Sequence, residues 1–88
     1  MEGDRHSQSY WLQKIREEGA ELKHVPEVMR TETVCLAAVR IDGWDLKHVP
    51  KALQTEDVCR AAVKQNAYVI DIVPPKIKGK VRAALGIG

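Results

Sequence analysis

The chain has 88 residues, 44% hydrophobic and 30% charged, which suits one folded domain with a modest core better than a disordered chain. No apolar run approaches the ~18–20 residues that span a bilayer, and the polar residues 1–7 hold no signal-peptide core; no membrane association and a cytoplasmic location are the expectation. The net charge of +2 resides at the C-terminal end: residues 2–71 carry all 12 acidic residues against 10 Lys and Arg, whereas residues 74–88 carry Lys76, Lys78, Lys80 and Arg82 with no acid.

Residues 7–21 form a helical half-unit with Tyr10, Trp11, Leu12 and Ile15 as its apolar members. From residue 22 the chain repeats itself. Leu22-Lys23-His24-Val25-Pro26 returns unchanged as Leu46-Lys47-His48-Val49-Pro50, and residues 22–45 laid over 46–69 agree at 12 of 24 positions, far beyond chance. The 24-residue period reaches backwards, placing Ser7 on Thr31 and Gly19 on Gly43, and forwards, placing residues 70–74 on 46–50. The chain thus divides into an N-terminal cap half-repeat (7–21), two repeats (22–45 and 46–69) and a degenerate C-terminal cap with a basic tail (70–88). Terminal units of a stack meet solvent on one side and are expected to be atypical.

Each repeat predicts a short helix, a turn and a longer helix. Pro26 and Pro50 suit the first turn of short helices through residues 27–29 and 51–53, because proline lacks the N–H that such a turn leaves unpaired. Thr31 and Thr55 are expected N-caps, followed by acids (Glu32; Glu56 and Asp57) that favour the positive end of the helix dipole. The longer helices run to about residues 42 and 66, with Gly43 and Asn66 expected in the left-handed conformation that ends helices. Val34, Cys35, Ala38 and Val39 match Val58, Cys59, Ala62 and Val63, an i, i+1, i+4, i+5 stripe that marks the core face. By contrast Leu36 becomes Arg60, Arg40 becomes Lys64 and Ile41 becomes Gln65, so those positions face water at least in part. The expected architecture is all-α: short helix-turn-helix repeats stacked as a small α-solenoid or compact helical bundle.

The segment Thr55 to Asn66, followed by an aromatic residue and then by an apolar-x-x-Val-Pro stretch, resembles a tandem helical repeat catalogued as a domain of unknown function. Residues 31–50 follow the same pattern with Ala38-Val39-Arg40 and Gly43, and Ala67 departs from it where the pattern has Gly. The resemblance covers roughly residues 7–75. It implies the fold, and it carries no assigned biochemical role.

Little chemistry presents itself. His24 and His48 are echoes of the period, one per repeat, at helix-packing separations of roughly 8–10 Å and with no second ligand nearby in sequence; no metal and no cofactor are expected. Cys35 and Cys59 repeat at core positions in no CxxC arrangement and read as buried free thiols. No hydroxyl or thiol sits in a glycine-framed loop, so no enzyme activity is expected. Trp44 and Tyr68 are repeat-equivalent and read as wedges between units, whereas Trp11 is the aromatic best placed for recognition.

The expected function is a non-enzymatic protein-protein interaction module, of the kind a phage or mobile element encodes as a small inhibitor that occupies a partner's surface. Trp11 and a face presenting Lys23, His24, Lys47 and His48 in register would make the contact. The alternative is a nucleic-acid-binding accessory protein acting through Lys76, Lys78, Lys80 and Arg82, which as an extended arm would share one side and as a helix would spread. Self-association through the open ends of the stack is a third reading.

Overall fold

The computed structural model describes residues 7–87. The polar residues before Ser7, His6 among them, and Gly88 lie outside the described residues. Four α-helices follow in order: α1 (Gln8–Glu18), α2 (Glu32–Ile41), α3 (Glu56–Gln65) and α4 (Pro75–Leu85). Between them run 3-10 segments at Leu22–His24, Glu27–Met29, Gly43–His48, Lys51–Leu53 and Ala67–Ile72. The described residues contain no strand, and the all-α expectation is met.

The first three helices begin alike. The hydroxyls of Ser7, Thr31 and Thr55 accept the backbone N–H groups of Tyr10, Val34 and Val58 at 3.1, 3.3 and 3.4 Å, each satisfying one of the donors that a helix start leaves open. Their ends differ. Gly19 and Gly86 close α1 and α4 in the left-handed conformation, with φ of 70° and 71°.

Gly43 and Asn66 do not adopt the expected left-handed conformation. Helices α2 and α3 stop at Asp42 and Asn66, both extended (φ −141° and −149°), whose side chains accept the N–H groups of Trp44 and Tyr68 at 3.1 and 3.0 Å. A single Asx residue therefore ends one helix and starts the next 3-10 segment. Gly43 is required for space. It is buried, and a Cβ there would collide with the carbonyl oxygen of Ala62 on α3.

The short helices at 27–29 and 51–53 are single 3-10 turns. Pro26 and Pro50 stand just outside them, with ψ of 141°, so their expected place inside the first turn is corrected by one residue. Their carbonyls accept the N–H groups of Met29 and Leu53, each at 2.8 Å. Pro74 repeats their conformation (φ −53°, ψ 137°), but there the pattern breaks. Gly79 stands 24 residues after Thr55 and supplies no cap, so turn and helix merge into one uninterrupted α4. The basic tail is thus helical, which excludes the extended-arm form.

Packing follows chain order: α1 lies on α2, α2 on α3 and α3 on α4, while the 3-10 segments Gly43–His48 and Ala67–Ile72 touch each other and α3. The repeated stripe is the core. Val34, Cys35, Ala38, Val39, Val58, Cys59, Ala62 and Val63 are all buried, joined by Ile15, Leu22, Val25, Leu46, Val49, Val69, Val73 and Val81. Each aliphatic member contributes roughly 1.5–3 kcal/mol of burial. Two polar side chains tie the 3-10 segments down. Arg30 Nε and Gln54 Nε2 each donate to the carbonyl of the valine before the repeated proline (Val25 and Val49) at 2.9 Å, and Arg30 Nη1 reaches the His48 carbonyl at 3.0 Å. Those carbonyls would otherwise lack partners. The result measures 49 × 23 × 16 Å, and no described helix is long and apolar enough to cross a membrane.

Candidate partner-binding surface

An open groove of about 690 Å³ is lined by Leu36 and Arg40 of α2, by Asp57, Arg60, Ala61, Lys64 and Gln65 of α3, and by Leu85 of α4. Its position follows from helix geometry. Residues 36 and 40 are one turn apart, as are 57, 60–61 and 64–65, so each set presents along one side of its helix. Half-buried Leu36, Ala61 and Leu85 supply the apolar part, and exposed Arg40 and Lys64 stand at its edge. The Arg60 guanidinium holds the Asp57 carboxylate at 2.6 Å. Arg40 and Lys64 form no ion pair among the described residues.

Two of the positions at which the repeats differ have both copies in this lining. Leu36 and its counterpart Arg60 line it, as do Arg40 and its counterpart Lys64, while the buried stripe of Val34, Cys35, Ala38 and Val39 is identical in both copies.

The residues singled out in sequence fall elsewhere. Lys23, His24, Lys47 and His48 sit on the 3-10 segments Leu22–His24 and Gly43–His48, which pack together. Several have local structural partners. His24 Nδ1 accepts the Glu21 N–H at 3.4 Å, Lys23 lies 3.5 Å from the Glu21 carboxylate, and the carbonyls of Lys23 and His48 accept from Arg30.

Trp11 is half-buried against the core, its ring edge-on to Tyr10 with centroids 5.0 Å apart. Its Nε1 is buried and has no hydrogen-bond partner among the described residues. Part of the Trp11 ring remains at the surface. Tyr68 is 77% exposed, so it is no wedge between units, and Trp44 is 36% exposed.

On α4 the four cations separate into two i, i+4 pairs. Lys78 and Arg82 lie on the side of Leu85, two turns and one turn away respectively, and Lys76 and Lys80 lie on the opposite side. Arg82 also lines a smaller hollow of about 430 Å³ with Gly79, Ala83, Gly86 and Ile87.

Cys35 and Cys59 are free and fully buried, and burial pushes both thiols up to about 11. Thiols so shifted are poor nucleophiles at neutral pH. Among the described residues, no three His, Cys, Asp or Glu side chains gather where a metal ion would fit.

Asp45 was not singled out in sequence. It is buried, and its Oδ2 accepts the Leu22 N–H at 3.0 Å, across 23 residues. Burial raises its pKa from the ordinary Asp value, Asp42 and Glu21 act in the same direction, and the Leu22 N–H and His48 oppose them. At the equivalent position the next repeat has Val69, so comparing copies gave no signal for it.

No curated protein and no solved structure gives a significant match to the chain. The domain of unknown function DUF4116 matches residues 31–78, from the N-cap of α2 into the first turn of α4. The match takes in α2 and α3 entirely, and with them every groove residue except Leu85. Because it spans more than half of the sequence, the chain belongs to the DUF4116 family.

Proposed function

We propose that the protein is a non-enzymatic interaction module that binds a partner protein in the groove of α2, α3 and α4. The observation that carries this reading is the groove itself, in which half-buried Leu36, Ala61 and Leu85 share one open hollow with the exposed cations Arg40 and Lys64. The buried stripe is held constant, while the side chains in front of it change from leucine to arginine and from arginine to lysine. The groove combines apolar side chains with cations at its edge, the composition of a protein-binding patch. A chain with one such surface acts by occupancy, masking the surface it covers as an inhibitor does.

Site-directed photocrosslinking in cells of the source organism tests the reading. A photoreactive residue at Ala61 in the groove, compared with one at exposed Lys51, should give a discrete protein adduct from the first position only. Adducts from neither position, with the helical circular dichroism intact, would remove the groove as a binding site. Adducts with nucleic acid in place of protein would favour the cationic helix α4 as the working element.

A further inference from the structure

We infer that the occupant of the groove is an acidic segment of the partner protein, one in which an aliphatic side chain is flanked by Asp or Glu. This rests on the interaction-module reading and adds the chemistry of the partner. Arg40 and Lys64 hold equivalent places on adjacent helices, and both are exposed without an ion pair among the described residues. Arg60 stands on the same wall and binds Asp57, a local demonstration that the wall accepts a carboxylate. From α4 only Leu85 enters the lining, while Arg82 lines the neighbouring smaller hollow.

Cations thus border an apolar strip of Leu36, Ala61 and Leu85, with Asp57 as the single acid in the lining. An aliphatic side chain would cover that strip, and carboxylates beside it would meet Arg40 and Lys64. Charge complementarity of this kind sets specificity and speeds encounter. Nucleic acid is a poorer fit. Single strands bind by stacking bases on aromatic rings, yet no aromatic residue lines the groove, and exposed Tyr68 and Trp44 belong to the 3-10 segments.

The test is a selection of random dodecapeptides displayed on phage against the full chain. Enriched peptides are then mapped by amide chemical-shift changes and measured at low and high salt, with an oligothymidylate as the nucleic-acid probe. The expected result is enrichment of peptides that pair Asp or Glu with Leu, Ile or Val. Their shifts should centre on Leu36, Arg40, Ala61, Lys64 and Leu85, and their binding should weaken as salt rises.

The double variant Arg40→Glu, Lys64→Glu should bind such peptides roughly tenfold more weakly at low salt. The double variant Lys47→Glu, Lys51→Glu, which alters exposed lysines away from the groove, should bind them unchanged. If the first variant loses helical signal, Arg40→Gln, Lys64→Gln replaces it and should show a smaller loss in the same direction. Neutral or basic peptides mapping to the groove would overturn the acidic occupant and leave the interaction module standing. Absence of enrichment, or shifts centred on Lys23, His24, Lys47 and His48, would overturn both. Tighter binding of the oligothymidylate than of any selected peptide would overturn the inference in favour of nucleic acid.

Discussion

A methyl group added at Gly43 would press on the Ala62 carbonyl, with Val69 and Gln65 closing in beside it, whereas one added at Gly79 would meet nothing within 4 Å. The two glycines should therefore respond to the same substitution with opposite signs. Gly43→Ala is expected to cost about 1–3 kcal/mol through overpacking. Gly79→Ala, in the interior of an exposed helix, should gain about 0.5–1 kcal/mol from propensity; urea denaturation of both variants checks the pair. Asp45 governs a pH effect. Its carboxyl titrates above its unfolded value because it is buried, so the folded state binds the proton more tightly. Its share of stability is present in acid and is lost as pH rises through the raised pKa. Asp45→Asn keeps an acceptor for the Leu22 N–H and removes the charge. Relative to that variant, wild type should lose melting temperature as pH rises from about 4, where an unfolded Asp titrates, through the raised folded value. An unchanged difference across that range would show that Asp45 ionises as it does in the unfolded chain.

At the scale of elements, the repeated caps carry the helix starts. Thr31→Ala and Thr55→Ala should each cost about 1 kcal/mol. Replacing either Thr by Ser should cost far less, because the serine hydroxyl of α1 already serves the same purpose at Ser7. The comparison of thermal melts checks this directly. The caps and the buried stripe were legible because they depend on residue type at a fixed spacing, and both repeats print them. The helix ends were not. Asp42 and Asn66 act through side-chain hydrogen bonds of a kind that Gly43 obscures, since glycine after a helix commonly signals a left-handed stop. Arg30 and Gln54 escaped for a related reason. They differ in type yet donate to equivalent carbonyls, so the repeat preserves the bond without preserving the residue. The shape of the tail turned on Gly79: in the first two units a threonine separates turn from helix, and its loss joins them.

Across the whole molecule, α2 and α3 have helical neighbours on both sides, while α1 and α4 pack chiefly against one. Opening free energies should follow that order. In native-state hydrogen exchange the central amides of α2 and α3 should be the most protected, and those of α1 and α4 should open first. Uniform protection would instead indicate a single indivisible unit. The groove was half legible. Leu36, Arg60, Arg40 and Lys64 were among the positions at which the copies part company, but their convergence with Leu85 depends on how α4 crosses α3, which no residue spacing encodes. The matched 3-10 segments Gly43–His48 and Ala67–Ile72 have a further consequence. The chain leaves residue 45 and residue 69 along the same backbone path, so an in-frame duplication of residues 46–69 would be entered and left without a new joint. Length is then a countable property of this molecule. Each added copy would contribute one more rung, roughly 10 Å, with one more groove wall open to mutation.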